Sequence, residues 1–289
     1  ADAPEAARPA LERLGAAVRT NDRGGFWERA VVPAGDPVAA GSGGAVQGVR
    51  RPSLWDDRDW IPVDGALVLL LVVALVAAHN EAGRIGSVVS ALLPFVDDMV
   101  VVDDGSTDAT GSEASAAGAT VLRSRGRNGK GGAMEAALRR LEPADVWLLA
   151  DGDLGATAAG LVRLVEVVSS DGADLAIAVL PPAPAGGFGL VKRTSAHLIR
   201  GQSGFRASEP LSGQRALTAR AMQAVRPLAQ GFGVETAMTI DAVRAGLRVL
   251  EVPIEGLEHR PTYRNLRGFL HRGRQGWDIA KAVLPRMLR

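Results

Sequence analysis

Hydrophobic and polar positions alternate regularly along most of this chain. From residue 72 onward, short apolar runs that are typical of buried strands are separated by segments in which apolar residues recur every three or four positions, as in amphipathic helices. The predicted strands are 72–77, 99–102, 120–122, 146–150 and 175–179, and the predicted helices lie near 85–93, 134–141 and 161–168. This alternation predicts an α/β fold with a mostly parallel, doubly wound sheet that is flanked by helices.

The beginning of the chain has a different pattern. Residues 1–64 are rich in Ala, Gly and Pro, which predicts an N-terminal extension, whereas residues 65–289 are predicted to form a single domain. The apolar run 66–78 is shorter than the roughly 20 residues that a membrane-spanning helix needs, and its Val and Leu content favours a buried strand with a second strand before it. The first residues also lack the layout of a signal peptide. We therefore expect a cytoplasmic protein.

Composition narrows the classes of function further. The chain has no Cys, which excludes disulfides and Cys-based metal or catalytic sites. A formal net charge of +1 argues against a dedicated nucleic-acid-binding protein. Only three of the 33 basic residues are lysines: Lys130, Lys192 and Lys281.

Polar and acidic residues follow three of the predicted strands. In an open parallel sheet, the carboxyl ends of the strands line the crevice in which ligands bind. The three segments are His79-Asn80-Glu81, Asp103 to Asp108, and Asp151-Gly152-Asp153. Each one alone also fits an ordinary turn or a helix N-cap. Together they favour a site for a nucleotide diphosphate and for Mg²⁺ or Mn²⁺, because carboxylates suit these ions and the metal offsets the charge of a diphosphate leaving group.

The third of these segments has the spacing of a metal site. Asp151 and Asp153 are two positions apart near a strand end, so their side chains are expected to project to the same side. We expect Gly152 to let a ligand approach between them.

Lys130 lies within Gly129-Lys130-Gly131-Gly132. A lysine in a chain that otherwise uses arginine suggests a site that needs a compact point charge. Glycines on both sides are expected to let the ammonium group reach a nucleotide or its diphosphate; the alternative is an ordinary loop lysine.

Two later segments suggest an acceptor site. Ser212 and Gly213 are expected to offer backbone N–H groups to an anionic acceptor at a helix start. Glu235 is the candidate acceptor-binding carboxylate or general base, because we expect Gly231 and Gly233 to leave it room beside a ligand. The alternative for Glu235 is a first-turn glutamate that the helix dipole stabilises.

Two regions leave structural and functional interpretations open. The Pro- and Gly-rich segment 181–187 is either a mobile lid or a plain connection. Near the C-terminus, basic residues occur on an otherwise apolar helical pattern. This pattern indicates either a solvated basic face or an amphipathic helix that contacts an anionic acceptor or, at the inner membrane face, anionic lipid headgroups. These basic residues are Arg264, Arg267, His271, Arg272, Arg274 and Lys281.

The strand-end motifs resemble the signature series of family-2-type glycosyltransferases, which have the Rossmann-like GT-A fold. The resemblance rests on His79-Asn80-Glu81, Asp103 to Asp108, Gly129-Lys130-Gly131 and Asp151-Gly152-Asp153-Leu154, and it covers roughly residues 70–280. Within this family the chain is similar to dolichyl-phosphate-mannose-synthase-like enzymes. It is also similar to glucosyl-3-phosphoglycerate synthase, through Glu209 to Gly213, Gly233-Val234-Glu235 and His259-Arg260.

The resemblance implies a role for individual residues. Ala78, Asn80, Glu81 and Asp104 would line the nucleotide pocket, with Asp151 near the ribose and Arg260 on the diphosphate. Asp153 would be the principal metal ligand, with Asp151 and His259 completing the metal shell. Tyr263 and Arg264 lie where an acceptor would pass, in a segment that departs from the pattern of the lipid-phosphate branch.

The expected function is therefore metal-dependent transfer of a hexose from a nucleotide-diphospho-sugar. A UDP-sugar is favoured over GDP-mannose, and the acceptor carries a phosphate, as a polyprenyl phosphate or a small phosphorylated acid does. Asp153, Glu235 and Lys130 are the candidate catalytic residues. A nucleotidyltransferase and a non-catalytic nucleotide-sugar-binding protein are the alternatives, and the sequence leaves a homodimer open.

Overall fold

The fold was analysed in a computed structural model. It describes the following residues: 17–20, 26–29, 31–33, 60–63, 66–124, 126–180, 189–257, 278–279 and 281–286. The chain divides into two compact units, Ala1–Leu71 and Val72–Arg289.

The first unit contains two small antiparallel sheets. Its strands are β1 (Ala17–Thr20), β2 (Phe26–Arg29), β3 (Val31–Pro33), β4 (Trp60–Val63) and β5 (Ala66–Leu69). β1 pairs with β2, and β5 lies between β3 and β4. The apolar run 66–78 thus supplies two strands, β5 and the first strand of the next unit, as its Val and Leu content predicts.

The second unit is a single α/β domain built on a seven-stranded sheet. Its strands are β6 (Val72–Ala78), β7 (Asp98–Asp103), β8 (Thr120–Arg123), β9 (Val146–Asp151), β10 (Leu175–Val179), β11 (Arg215–Thr218) and β12 (Val249–Pro253). They lie in the order β12-β10-β11-β9-β6-β7-β8. Only β11 runs antiparallel to its neighbours in this sheet. The mostly parallel sheet and all five predicted strands are confirmed.

Along the described part of the chain, seven α-helices lie between the first and the last strand of this sheet. They are α1 (Ile85–Leu92), α2 (Thr110–Ala116), α3 (Lys130–Leu138), α4 (Val162–Ser169), α5 (Gly189–Ser203), α6 (Ala219–Val225) and α7 (Val234–Arg244). The helices predicted from apolar spacing correspond to α1, α3 and α4. The apolar pattern does not reveal α2, since its residues are mostly small and only Thr110 and Ala114 are buried.

One element was predicted wrongly. Ser212 and Gly213 are predicted at a helix start, but they lead into β11, and helix α6 begins only at Ala219. Four residues are too few to show a strand period, and an antiparallel strand inside a parallel sheet breaks the strand–helix alternation on which the prediction relied.

The C-terminal segment packs on the body of the domain. Ile279 and Val283 are buried in one hydrophobic cluster with Ile199 of α5 and Ile240 of α7. The guanidinium group of Arg286 pairs with the carboxylate of Asp241 on α7. Ile279 and Val283 of the predicted C-terminal helix are therefore covered by protein, whereas Leu284 is 62% exposed.

Among the described residues, no helix combines the length and the hydrophobicity that crossing a bilayer requires. The predicted basic positions 264–274 and the Pro- and Gly-rich segment 181–187 lie outside the described residues.

Helix α3 is fixed to the loop after α6 through the carboxylate of Glu135, which accepts hydrogen bonds from Arg226 and from the backbone N–H of Leu228. Burial works to raise the pKa of Glu135, but these bonds outweigh it, so the pKa lies below its usual value. The bonds to the ionised form therefore stabilise the protein above about pH 4.5, and this contribution is lost as the pH falls through the lowered pKa.

We expect Glu135→Gln to lower the Tm at pH 7 and the difference from wild type to shrink towards pH 3. Thermal unfolding followed by circular dichroism across this range tests it, and a difference independent of pH would contradict it.

Candidate active site

Three strand ends meet at one edge of the sheet. In the register of the parallel strands, Ala78 of β6 lies beside Asp103 of β7, and Ala77 of β6 lies beside Asp151 of β9. The three polar and acidic segments that follow these strands therefore lie next to one another, as the carboxyl-edge argument predicts.

The loops after β6 and β7 are joined by hydrogen bonds. Asn80 has a left-handed backbone (φ 58°), which asparagine tolerates better than most residues. Its side-chain oxygen accepts a hydrogen bond from the backbone N–H of Thr107 at 2.9 Å, and its own N–H donates to Ser106 Oγ at 3.0 Å. The N–H of Glu81 donates to Thr110 Oγ1 at 2.8 Å. Asn80 and Glu81 thus join the loops after β6 and β7 through their backbone N–H groups and the side-chain oxygen of Asn80.

Asp104 organises the segment before Lys130. Its two carboxylate oxygens accept hydrogen bonds from the backbone N–H groups of Asn128 and Gly129, at 2.7 and 2.8 Å, and the residue is buried. Its N–H donates to the carbonyl of Ala78. This geometry positions the Gly-Lys-Gly segment beside the strand ends, so the described contacts of Asp104 are structural.

Gly152 is explained by packing rather than by ligand approach. A Cβ atom at this position would lie 3.0 Å from the Cβ of Ala78 and 3.3 Å from the Cδ1 of Ile85, and Gly152 itself is buried. The expectation that this glycine leaves space for a ligand between two carboxylates is therefore wrong. The space is filled by the end of β6 and the start of α1.

Lys130 bridges two carboxylates. Its Nζ lies 2.5 Å from Asp151 Oδ1 and 2.8 Å from Glu235 Oε1. The second oxygen of Asp151 accepts a hydrogen bond from Gln214 Nε2 at 3.0 Å. One ammonium group thus connects the end of β9 with the first turn of α7, which brings the predicted residues Lys130, Asp151 and Glu235 into one cluster.

The surroundings hold Lys130 in its charged form. Burial of the ammonium group works to lower its pKa, but the negative charges of Asp151 and Glu235 and their hydrogen bonds raise the pKa well above its usual value. Two carboxylates and one ammonium group leave this cluster with one net negative charge. A cluster with this charge would accommodate an anionic ligand only together with a cation, such as a divalent ion of the kind that carboxylates bind.

The glycines near Lys130 and Glu235 make room for protein. A Cβ atom on Gly131 would overlap the carbonyl of Ala229, and one on Gly233 would lie 2.6 Å from the carbonyl oxygen of Asp278. A Cβ atom on Gly231 would likewise overlap the side chain of Asp278. The expectations that these glycines give Lys130 access to a nucleotide and leave Glu235 room beside a ligand are therefore wrong, because other parts of the chain occupy that space.

Ser212 and Gly213 occupy a turn in front of β11, not a helix start. The N–H of Ser212 donates to the carbonyl of Glu209 at 3.2 Å, and Ser212 is 2% exposed. The predicted use of its backbone N–H at a helix N-terminus is therefore wrong. Glu251 of β12 holds this turn in place, because its carboxylate accepts hydrogen bonds from Ser208 and from the N–H of Glu209.

Gly213 is packed against the ion cluster, which yields a test. A Cβ atom there would lie 2.6 Å from Asp151 Oδ2 and would collide with the ammonium group of Lys130. We expect Gly213→Ala to displace Lys130 from Asp151 and to reduce turnover by about 10- to 100-fold, since small displacements of active-site groups are costly.

The matched control is Gly201→Ala on helix α5, where a Cβ atom would meet nothing within 4 Å. This change should leave turnover unaltered and raise stability by about 0.5–1 kcal/mol. Equal turnover of the two variants in steady-state assays would show that the space at Gly213 is not needed.

Two functional candidates were missed by sequence reasoning. Gln214 holds Asp151, and Arg215 lies fully buried beneath the cluster. Lys130 stood out because lysine is rare in this chain, whereas Arg215 is one of 30 arginines, the 33 basic residues less three lysines. An arginine directly before the apolar pair Ala216-Leu217 was the available signal.

The predicted metal ligands are only partly described. Asp153 follows β9, and its backbone carbonyl accepts a hydrogen bond from Arg84 Nη1 at 3.0 Å. His259, Arg260, Tyr263 and Arg264 lie outside the described residues. Within the described ranges, no group of three or more His, Asp or Glu residues is arranged to hold a metal ion. Asp151 and Asp153 remain carboxylates of the type that Mg²⁺ and Mn²⁺ prefer.

A parallel sheet with an acidic carboxyl edge is the general architecture of nucleotide-binding α/β proteins. The model of the family described as glycosyl transferase family 2 matches residues 73–222. This match covers more than half of the chain, which therefore belongs to glycosyl transferase family 2.

Individual relatives extend this comparison. Glycosyltransferase AglJ of Haloferax volcanii is 30% identical over 194 residues, which are 63% of this chain and 61% of that protein. The match to AglJ thus spans less than two thirds of the length of that relative. Glucosyl-3-phosphoglycerate synthase of Mycolicibacterium paratuberculosis is 28% identical over 256 residues, covering 76% of this chain and 77% of that protein.

The solved structures that resemble this chain include glucosyl-3-phosphoglycerate synthase from Mycobacterium tuberculosis. Its complex with phosphoglyceric acid has a TM-score of 0.64 and 27% identity and covers 75% of this chain and 80% of that one. Its complex with Mn²⁺, UDP-glucose and phosphoglyceric acid has a TM-score of 0.63 and 25% identity, with coverage of 75% and 79%. The GT-A fold predicted from the motifs is confirmed.

Proposed function

We propose that this protein transfers a hexose, with glucose from UDP-glucose favoured, to a small phosphorylated acid in a metal-dependent reaction. The observation that carries the proposal is the bridge from Lys130 to both Asp151 and Glu235 at the edge where three acidic strand ends meet. Support for the donor, the metal and the acceptor comes from the related synthase, whose structure holds Mn²⁺, UDP-glucose and phosphoglyceric acid.

The donor side of the site lies at β6, β7 and β9. We place the nucleotide against Ala78, Asn80, Glu81 and Asp104, and the diphosphate near Lys130. Lys130 and Gln214 occupy both oxygens of Asp151, so we assign Asp153 as the principal metal ligand and Asp151 as its neighbour towards the ribose. A divalent ion held there would offset the negative charge that develops on the departing diphosphate.

The acceptor side lies at the turn before β11 and at the start of α7. In the reaction, an acceptor oxygen bonds to the anomeric carbon of the hexose while the bond from that carbon to the diphosphate breaks. If the oxygen belongs to a hydroxyl group, Glu235 is the residue placed to accept its proton. If it belongs to a phosphate, no proton needs to be removed and Glu235 orients the acceptor. Ser212, Gly213, Tyr263 and Arg264 remain assigned to acceptor binding as a proposal.

A panel of donors and acceptors tests this function. The purified chain is incubated with Mn²⁺ and UDP-glucose, GDP-glucose or GDP-mannose, and with 3-phosphoglycerate or a short polyprenyl phosphate, and products are identified by mass spectrometry. We expect a glucosylated 3-phosphoglycerate and an equal amount of UDP. Product only with the polyprenyl phosphate would overturn the acceptor, and product only with a GDP-sugar would overturn the donor. Release of a sugar 1-phosphate, with the nucleotide transferred to the acceptor, would indicate a nucleotidyltransferase.

A further inference from the structure

A buried arginine lies beneath the proposed acceptor side of the site. Arg215 is the first residue of β11, between β9 and β10 in the sheet, and it is 1% exposed. Among the described residues, no carboxylate lies within ion-pair distance of its guanidinium group. A buried cation without a direct partner is unfavourable, so a residue of this kind needs an explanation.

The guanidinium group joins the two segments that we assign to the acceptor. Arg215 Nε donates to the carbonyl of Ser212 at 2.8 Å, and Nη1 donates to Thr239 Oγ1 at 3.0 Å. The hydroxyl of Thr239 in turn donates to the carbonyl of Glu235 at 3.0 Å. A continuous chain of hydrogen bonds therefore runs from the Ser212-Gly213 turn through Arg215 to the first turn of α7.

The same guanidinium group lies in the electric field of the ion cluster. Burial lowers the pKa of Arg215 to about 10, and the negative charges of Glu235, Glu251 and Asp151 oppose that lowering. The group therefore stays cationic at neutral pH. Its positive charge offsets the net negative charge of the cluster formed by Lys130, Asp151 and Glu235.

Three polar side-chain atoms in these segments are buried without a hydrogen-bond partner. Arg215 Nη2, Ser212 Oγ and Thr236 Oγ1 are buried and have no hydrogen-bond partner. Ser212 is three residues before Arg215 in the chain, and Thr236 is three residues before Thr239 on the same side of α7. Buried groups of this kind are usually satisfied by ordered water.

We infer that Arg215 is a positioning residue, which holds the Ser212-Gly213 turn and the Glu235 end of α7 at a fixed separation without touching the substrate. This inference rests on the proposed function, since that function assigns both segments to the acceptor. Lysine cannot replace arginine here, because an ammonium group lacks the planar fork that reaches Ser212 and Thr239 together.

Three variants separate the geometry of Arg215 from its charge. Arg215→Lys keeps the charge and loses the fork, Arg215→Met loses both, and Thr239→Val removes one end of the hydrogen-bond chain with little change in shape. We expect the acceptor KM to rise by at least about tenfold in Arg215→Lys and Arg215→Met and by less in Thr239→Val, and kcat to fall most in Arg215→Met. The Kd for UDP with Mn²⁺, measured by calorimetry, should stay within about twofold of wild type.

Arg248→Met is the control for a loss of stability alone. Arg248 pairs with Asp171 and Asp174 at the opposite edge of the sheet, so its loss should lower the Tm and leave KM unchanged. If the Arg215 variants lose kcat and donor binding together, with the acceptor KM unchanged, Arg215 is merely structural and the inference fails.

Hydrogen exchange tests the positioning role of Arg215 independently of catalysis. We expect peptides that cover 209–214 and 234–239 to exchange faster in Arg215→Lys than in wild type, while peptides within β6 and β9 stay unchanged. Unchanged exchange of both peptides in Arg215→Lys would overturn the positioning role of Arg215 even if the enzyme transfers glucose. Faster exchange in Arg215→Lys, together with a wild-type protein that transfers no sugar, would support the positioning role of Arg215 and overturn the proposed function.

Discussion

Asp153→Asn is expected to reduce hexose transfer by at least about 1000-fold, because it removes the charge of the principal metal ligand that we propose. The carboxamide has nearly the same shape as the carboxylate, so the Tm should stay within about 2 °C of wild type. The thermal shift that Mn²⁺ and UDP together give the wild type should be lost, since that shift depends on binding. Steady-state turnover and thermal shift, measured side by side, check both statements.

The matched control is Asp171→Asn. Asp171 is exposed and pairs with Arg248 at the opposite edge of the sheet, and its left-handed backbone (φ 57°) accepts asparagine. This variant should turn over like wild type. Comparable turnover of Asp153→Asn and Asp171→Asn would remove Asp153 from the mechanism.

Lys130→Met is expected to have the second largest effect. It leaves the carboxylates of Asp151 and Glu235 without the ammonium group that lies between them, so we expect the free energy of unfolding to fall by about 3 kcal/mol. Transfer should fall by about 100-fold or more, because the charge proposed for the diphosphate is also lost. Lys130→Arg should not restore it, since Gly213 packs directly against the ammonium group. Denaturant unfolding and turnover are the measurements.

The dependence on pH sharpens this test. The pKa of Lys130 is raised, so its contribution to stability is complete below the ordinary lysine value and is lost only as the pH rises through the raised pKa. The stability difference between wild type and Lys130→Met should thus be constant from about pH 6 to pH 9. Lys281→Met, at an exposed position of the C-terminal segment, is the control. A stability loss that grows or vanishes within this pH range would contradict the ion cluster.

The parallel part of the fold follows from local patterns. Buried parallel strands are continuous apolar runs, and each is followed by polar residues at the same edge, so both β9 and the position of Asp151 could be predicted. Strand β11 could not be, because it is short and its direction is set by pairing with β9 and β10 rather than by its own four residues.

The candidate site could likewise be predicted only where local sequence determines it. The rarity of lysine singled out Lys130, and the register of the sheet places Asp151 within reach of it. The packing of the neighbouring glycines could not be predicted, because it depends on segments that are far away in sequence. Gly152 packs on Ala78, and Gly233 packs on Asp278. Arg215 was missed for a related reason, since its partner Thr239 is 24 residues away.

The central claim is a metal-dependent transfer of hexose at this acidic edge. The most direct measurement is a single time course of the wild-type chain with UDP-glucose and 3-phosphoglycerate, in which UDP and glucosylated product are quantified with Mn²⁺, after an excess of chelator, and after Mn²⁺ is restored. A metal-dependent transfer predicts equal amounts of UDP and product with Mn²⁺, loss of both with the chelator, and recovery of both when Mn²⁺ returns. Product formation at an undiminished rate in the presence of the chelator would contradict it.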